Sequence, residues 1–144
     1  MIKQLPDKWI RKAVFTAVNN LDVGGQSIRC YDSRVTGKPI PKNFILMSTQ
    51  TNRVDKFNKC EDVWESSILI DIITTYNGQG NTGSRLLADN ILNKVRELTN
   101  KIVLDPASGL TVLRQTQNFP GDLTTITKTQ NVFRKLMRIE LTIN

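Results

Sequence analysis

Residues 7–21 carry apolar or small side chains at 10, 13, 14, 17, 18 and 21. That is the i, i+3, i+4 spacing of one helical face. Pro6 and Asp7 stand where such a helix starts, and NNLDVGG (19–25) ends it, with Gly24 and Gly25 beyond the last apolar position. SIRCYDSRV (27–35) reads as a short strand, and TGKPIPK (36–42) as a loop whose prolines and glycine deny ladder donors. FILMSTQTNRV (44–54) is the next strand, and DKFNKCED (55–62) a charged connection. VWESSILIDIITTY (63–76) is the clearest strand. Its Ile68, Ile70 and Ile72 share one face and Leu69, Asp71 and Ile73 the other, so cover on both sides is expected.

A second helix is predicted from about 83 to 100, with apolar positions at 87, 88, 91, 92, 95 and 98 and Asn81 or Thr82 as its cap. DPASG (105–109) is a turn, LTVLRQTQ (110–117) a strand, and FPGD (119–122) a type II hairpin turn. In the last segment Met137, Ile139, Leu141 and Ile143 alternate with Arg138, Glu140 and Thr142, the mark of a half-buried strand with one wet face. The order is α-β-β-β-α-β-β. It predicts a single α+β domain over 1–144, mainly an antiparallel sheet with two helices packed on one face.

The segment between the clearest strand and the second helix contains GQGNTGSR (78–85). Gly78, Gly80 and Gly83 match a dinucleotide fingerprint, and Asp105 stands where a ribose-binding acid belongs. The context opposes that reading. No helical pattern follows Asp105, and Thr74-Thr75-Tyr76-Asn77 separate the strand from the first glycine. A Walker loop needs lysine where Ser84 stands, and Arg85 one place on does not replace it. The glycines therefore read as a strand-to-helix connection, with Asn77, Gly78, Gln79, Gly80 and Asn81 as an exposed contact loop.

Composition narrows the chemistry. A length of 144 residues, 39% hydrophobic and 23% charged, can bury a core without staples. MIKQLPDKWIRK has no apolar h-region, and no apolar run approaches the ~18 residues of a membrane span. Cys30 and Cys60 lie in unrelated contexts and read as reduced, at least half-buried thiols. With no histidine in the chain, the commonest general base and metal ligand are absent. No catalytic, metal or cofactor set emerges, and the chain reads as no enzyme. Asp71, inside the most apolar strand, suits a general acid or base, a partner for a nearby Arg or Lys, or a subunit interface. Glu61, Asp62 and Glu65 read as solvated, and Trp9 and Trp64 as core anchors, Trp64 also suiting an interface rim. The net charge is +7, with a cluster RKLMR (134–138) that reads as a solvated strand face.

The element order, ILIDIITTYNGQGNTGSRLLADNILNKVREL (68–98) and the strand-rich end resemble the tail-terminator (tail-completion) proteins of tailed bacteriophages and related head–tail connector ring proteins. The resemblance spans nearly the whole chain. It implies a virion subunit, made in the host cytoplasm, that forms a homo-oligomeric ring, six-fold first and twelve-fold as the alternative. Such a ring caps the tail tube, docks on head connector proteins and passes DNA through its lumen without sequence preference. Scattered positive charge suits a duplex that must slide. Arg114, Lys128, Arg134, Lys135 and Arg138 are the expected lumen or subunit-interface set. A small nucleotide-binding protein or enzyme using 78–84, and a basic nucleic-acid-binding module, are the competing readings.

Overall fold

The computed structural model describes residues 4–58, 61–78 and 83–144, with side chains described outside 55–62. Two helices, α1 (Asp7–Val18) and α2 (Leu86–Leu98), accompany six strands. These are β1 (Leu21–Val23), β2 (Gln26–Asp32), β3 (Asn43–Asn58), β4 (Glu61–Asn77), β5 (Val112–Ile126) and β6 (Gln130–Ile143). They form one sheet in the order β1-β2-β3-β4-β6-β5, antiparallel except for the β2–β3 pair. Chain order is thus α-β-β-β-β-α-β-β. The α+β expectation holds, with one more strand than the hydrophobic pattern indicates.

That extra strand is β1. Val18 is the last helical residue, and the chain turns at Asn20 (φ 58°) into a hairpin closed by Gly24 and Gly25. Both glycines have positive φ, 59° and 82°, as a tight two-residue hairpin turn requires. The glycines beyond the helix therefore serve a β-turn and not a helix end.

The charged segment 55–62 is not a separate connection. β3 runs to Asn58 and β4 starts at Glu61, the two pairing with Asp55 opposite Val63 and Asn58 opposite Glu61, and residues 59 and 60 lie outside the described residues. Pro120-Gly121 is likewise no hairpin turn. β5 runs straight through it, with a register irregularity between Asn118 and Gly121, and the chain reverses only at 127–129. Because β5 is the outer strand, Pro120 lacks an N–H only where no ladder is broken.

Both helices pack on one face of the sheet. Ile10, Val14 and Val18 of α1 and Ala88, Ile91 and Val95 of α2 are buried in a single core with Ile68, Ile70 and Ile72 of β4. Met137, Ile139, Leu141 and Ile143 of β6 complete it, confirming the alternation. Each fully buried aliphatic side chain contributes about 1.5–3 kcal/mol. The sheet's second face carries neither helix, which corrects the expectation of cover on both sides of β4. Among the described residues no helix is long and apolar enough to cross a membrane.

Helix α2 starts at Leu86, with Arg85 at the N-cap and the Ser84 hydroxyl accepting from the Leu86 N–H at 3.3 Å. The cap is therefore not Asn81 or Thr82, both of which lie outside the described residues. The turn at 105–109 is a short 3-10 helix (Pro106–Ser108), with the Asp105 carboxylate accepting from the Ala107 N–H at 2.9 Å.

Candidate functional site

Directly opposed residues of paired strands project from the same face. The registers therefore define the uncovered face strand by strand. From β2 it carries Arg29 and Tyr31, and from β3 Phe44, Leu46, Thr51 and Arg53. From β4 it carries Glu65, Ser67, Leu69, Asp71 and Ile73. β6 contributes Arg134, Leu136, Arg138, Glu140 and Thr142, and β5 contributes Arg114, Thr116, Asn118 and Leu123.

The centre of this face is buried without a helix above it. Asp71 is 3% exposed, and Tyr31, Phe44 and Ser67 are each 8% exposed. Leu46 and Leu136 flank Asp71 across the ladder, and Leu69 and Ile73 flank it along the strand. Arg134 lies over it: Nε donates to Oδ1 at 3.3 Å and to Oδ2 at 3.1 Å, and Nη2 also donates to Oδ2. The hydrogen bonds to Asp71 raise the Arg134 pKa above its ordinary value. Of the roles open to Asp71, the structure shows pairing with an arginine.

Around this centre the cations are all arginines. Arg29, Arg53, Arg114 and Arg138 are exposed and hold no carboxylate partner among the described residues. The Arg29 guanidinium sits 5.7 Å from the Tyr31 ring centroid. With Arg134 there are five arginines against Glu65, Asp71 and Glu140, so the described side chains of this face carry two positive charges in excess. A shallow depression of about 380 Å³ lies between Arg53, Arg138, Glu65 and Glu140, floored by Thr51 and Ser67. Glu65 is less free than its composition context suggests, since the Thr142 hydroxyl donates to it at 3.1 Å.

Arg114, Arg134 and Arg138 thus share this face. Lys135 does not join them. It projects to the helix face, where Nζ contacts Asp89 of α2 at 2.6 Å and Asp122 of β5 at 2.9 Å. Those hydrogen bonds, to Asp122 first and Asp89 second, raise its pKa. Lys135 is a clamp across three elements, and the 134–138 cluster is split between two faces instead of forming one solvated face. Lys128 lies in the exposed turn between β5 and β6. Arg29 and Arg53 escape sequence reasoning because their place on this face depends on the non-local β2–β3 and β3–β4 registers. The alternation Arg29-Cys30-Tyr31 was the only local signal, with Cys30 buried on the helix side.

The contact loop is described in part. Asn77 and Gly78 are exposed, and the Gly78 N–H donates to the Thr129 carbonyl at 2.9 Å, which ties the loop base to the β5–β6 turn. Gln79, Gly80 and Asn81 lie outside the described residues. Gly83 has φ 82°, and a Cβ there would lie 2.3 Å from the Tyr76 ring. This glycine is required by the aromatic ring beneath it and by its backbone angle. Asp105 is occupied by Lys12 at 2.5 Å and by the Ala107 N–H of its 3-10 cap, and these hydrogen bonds, Lys12 first, hold its pKa below the usual carboxylate value. Cys30 is buried and its thiol is pushed up to about 12, by desolvation first and Asp32 second. Cys60 lies outside the described residues. Trp9 and Trp64 pack against the core edge. No group of metal-ligating side chains occurs among the described residues.

No family model matches the sequence, and no curated protein matches it. Among solved structures the chain is similar to a chain from the virion of a native gene transfer agent (GTA) particle. The superposition covers 94% of this chain and 96% of that one, with a TM-score of 0.57 and 13% sequence identity. The two chains share a fold along essentially their whole lengths.

Proposed function

We propose that this chain is a structural, non-enzymatic subunit of a phage-like virion, and that it forms a ring at the head–tail junction, as a tail terminator or connector ring. The observation that carries the reading is the end-to-end fold similarity to a chain of the GTA virion. The uncovered arginine face and the long free edge of β5 support it, since a closed ring needs two complementary surfaces on every subunit. In this reading the arginine face, with Arg29, Arg53, Arg114 and Arg138 as its cations without a carboxylate partner among the described residues, looks onto the lumen or the next subunit. Exposed arginines hold a passing duplex through its phosphates without reading bases. The partners are further copies of the chain, tail-tube and head-connector proteins, and DNA in the lumen.

Charge reversal tests it. The triple variant Arg53→Glu, Arg114→Glu, Arg138→Glu is expected to fold and to lose ring assembly or particle infectivity in a complementation assay. Unchanged assembly and infectivity would remove the arginine face from the account. A nucleotide thermal-shift screen tests the competing nucleotide reading. A ligand at a hundred times its Kd stabilises by about 2.7 kcal/mol, and such a shift would displace the virion proposal.

A further inference from the structure

Helix α1 has a second stripe beside its core face. Trp9, Ala13 and Ala17, spaced i, i+4 and i+8, are half-buried and touch the core only from its edge. Facing them is the segment that leaves α2, with Leu98 37% exposed and Val103 71% exposed. Val103 is conspicuous because Ile102 and Leu104 on either side are 5% and 4% exposed. Between stripe and segment lies a groove of about 360 Å³. That is toward the lower end of the ~300–1,000 Å³ range of ligand sites, room for one or two large side chains.

The rim carries Lys12, Lys101 and the Asp105 carboxylate, and its unpaired charges are positive. Lys8 Nζ lies 4.7 Å from the Trp9 ring centroid, and Lys12 Nζ lies 5.8 Å from it. Lys12 is neutralised by Asp105 at 2.5 Å. Lys101 lines the groove, and neither it nor Lys8 has an ion-pair partner among the described residues. The Trp9 Nε1–H is buried with no acceptor among the described residues.

We propose that this groove is a docking site for an acidic peptide segment of another protein. A leucine or aromatic side chain of that segment enters between Ala13, Ala17 and Val103, and carboxylates on either side of it meet Lys8 and Lys101. The occupant is acidic because the charges left unpaired beside the groove, Lys8 and Lys101, are both positive. The groove lies across α1, away from the arginine face, and the inference stands whether or not the chain is a virion subunit.

The test is an NMR titration of the full ¹⁵N-labelled chain at about 0.15 M salt, where weak surface attraction is screened. The probes are acetyl-Glu-Glu-Phe-Leu-Glu-Glu-amide and its counterpart with every Glu replaced by Lys. The acidic peptide is expected to give saturable shifts at the Trp9 indole N–H and at the amides of Ala13, Ala17 and Val103, and the basic one none. Lys8→Glu with Lys101→Glu should weaken binding about tenfold or more, about 1.4 kcal/mol by conversion. Both lysines are exposed or unpaired, so that variant keeps the fold. Ala17→Arg, which fills the groove, should abolish the shifts. Absence of shifts at millimolar acidic peptide, equal shifts with the basic peptide, or shifts spread over Arg29, Arg53, Arg114 and Arg138 would overturn the proposal. So would the same shifts appearing on raising protein concentration alone, which would assign the groove to a second copy.

Discussion

Asp71 shows how much one residue can state about a surface. A carboxylate 3% exposed on a face that no helix covers survives only because Arg134 answers it. Arg134→Met leaves that charge buried and unpaired, and is expected to cost about 2–3 kcal/mol, below the usual cost for a buried pair because Arg134 itself is partly exposed. The double variant Asp71→Leu, Arg134→Met should recover most of the loss; urea midpoints of the three proteins decide it. Gly83→Ala meets the Tyr76 ring at 2.3 Å and a φ of 82°. It should cost about 3 kcal/mol from left-handed strain plus overpacking. Gly37→Ala, with φ 87° and open space, should cost about half that; equal losses would show that the ring contact is unimportant. In a Cys60→Ser background, Cys30 should react with a thiol reagent only on unfolding, because burial raises its pKa to about 12.

At the scale of elements, the legible parts are those whose partners are generic. Helical spacing gave α1 and α2 within a few residues, and alternation gave the buried face of β6, because any apolar core satisfies those patterns. The illegible parts depend on a specific distant partner. β1 is three residues long and exists through β2. The strand character of 55–58 and 61–62 comes from the hairpin ladder, which overrides their polar composition. Pro120 belongs to a strand only because that strand is the edge. β5 is also fastened to the segment that leaves α2: the Gln115 side chain accepts from the Ile102 N–H at 2.9 Å and donates to the Thr99 carbonyl. Gln115→Leu strands that N–H and should cost about 1–2 kcal/mol, with faster amide exchange at Ile102 as the specific sign. The Lys135 clamp makes a pH prediction. Its folded pKa is raised, so its stabilisation is complete below the ordinary lysine value of about 10.4 and is lost as pH rises through the higher folded value. Stability of the wild type should therefore fall more steeply above that pH than stability of Lys135→Met.

For the whole molecule, the sheet has one face covered by helices and one face left to arginines. Part of that site was readable: Arg114, Arg134 and Arg138 stand in segments whose alternation places them on a strand face. Arg29 and Arg53 join them, and Lys135 leaves them, through registers that no local pattern encodes. The glycines of 78–85 raised the question of a nucleotide site, and at its two described glycines the answer is structural: Gly78 ties down the β5–β6 turn and Gly83 clears the Tyr76 ring. A sheet with an open face and a free edge calls for neighbours, and the virion proposal supplies them as copies of the same chain. Native mass spectrometry with negative-stain imaging, across a protein concentration series, reads out that self-assembly. The expected result is closed rings of one defined subunit number with a central opening, lost in the triple charge-reversal variant. A monomer at every concentration, with or without tail-tube protein added as a template, would contradict it.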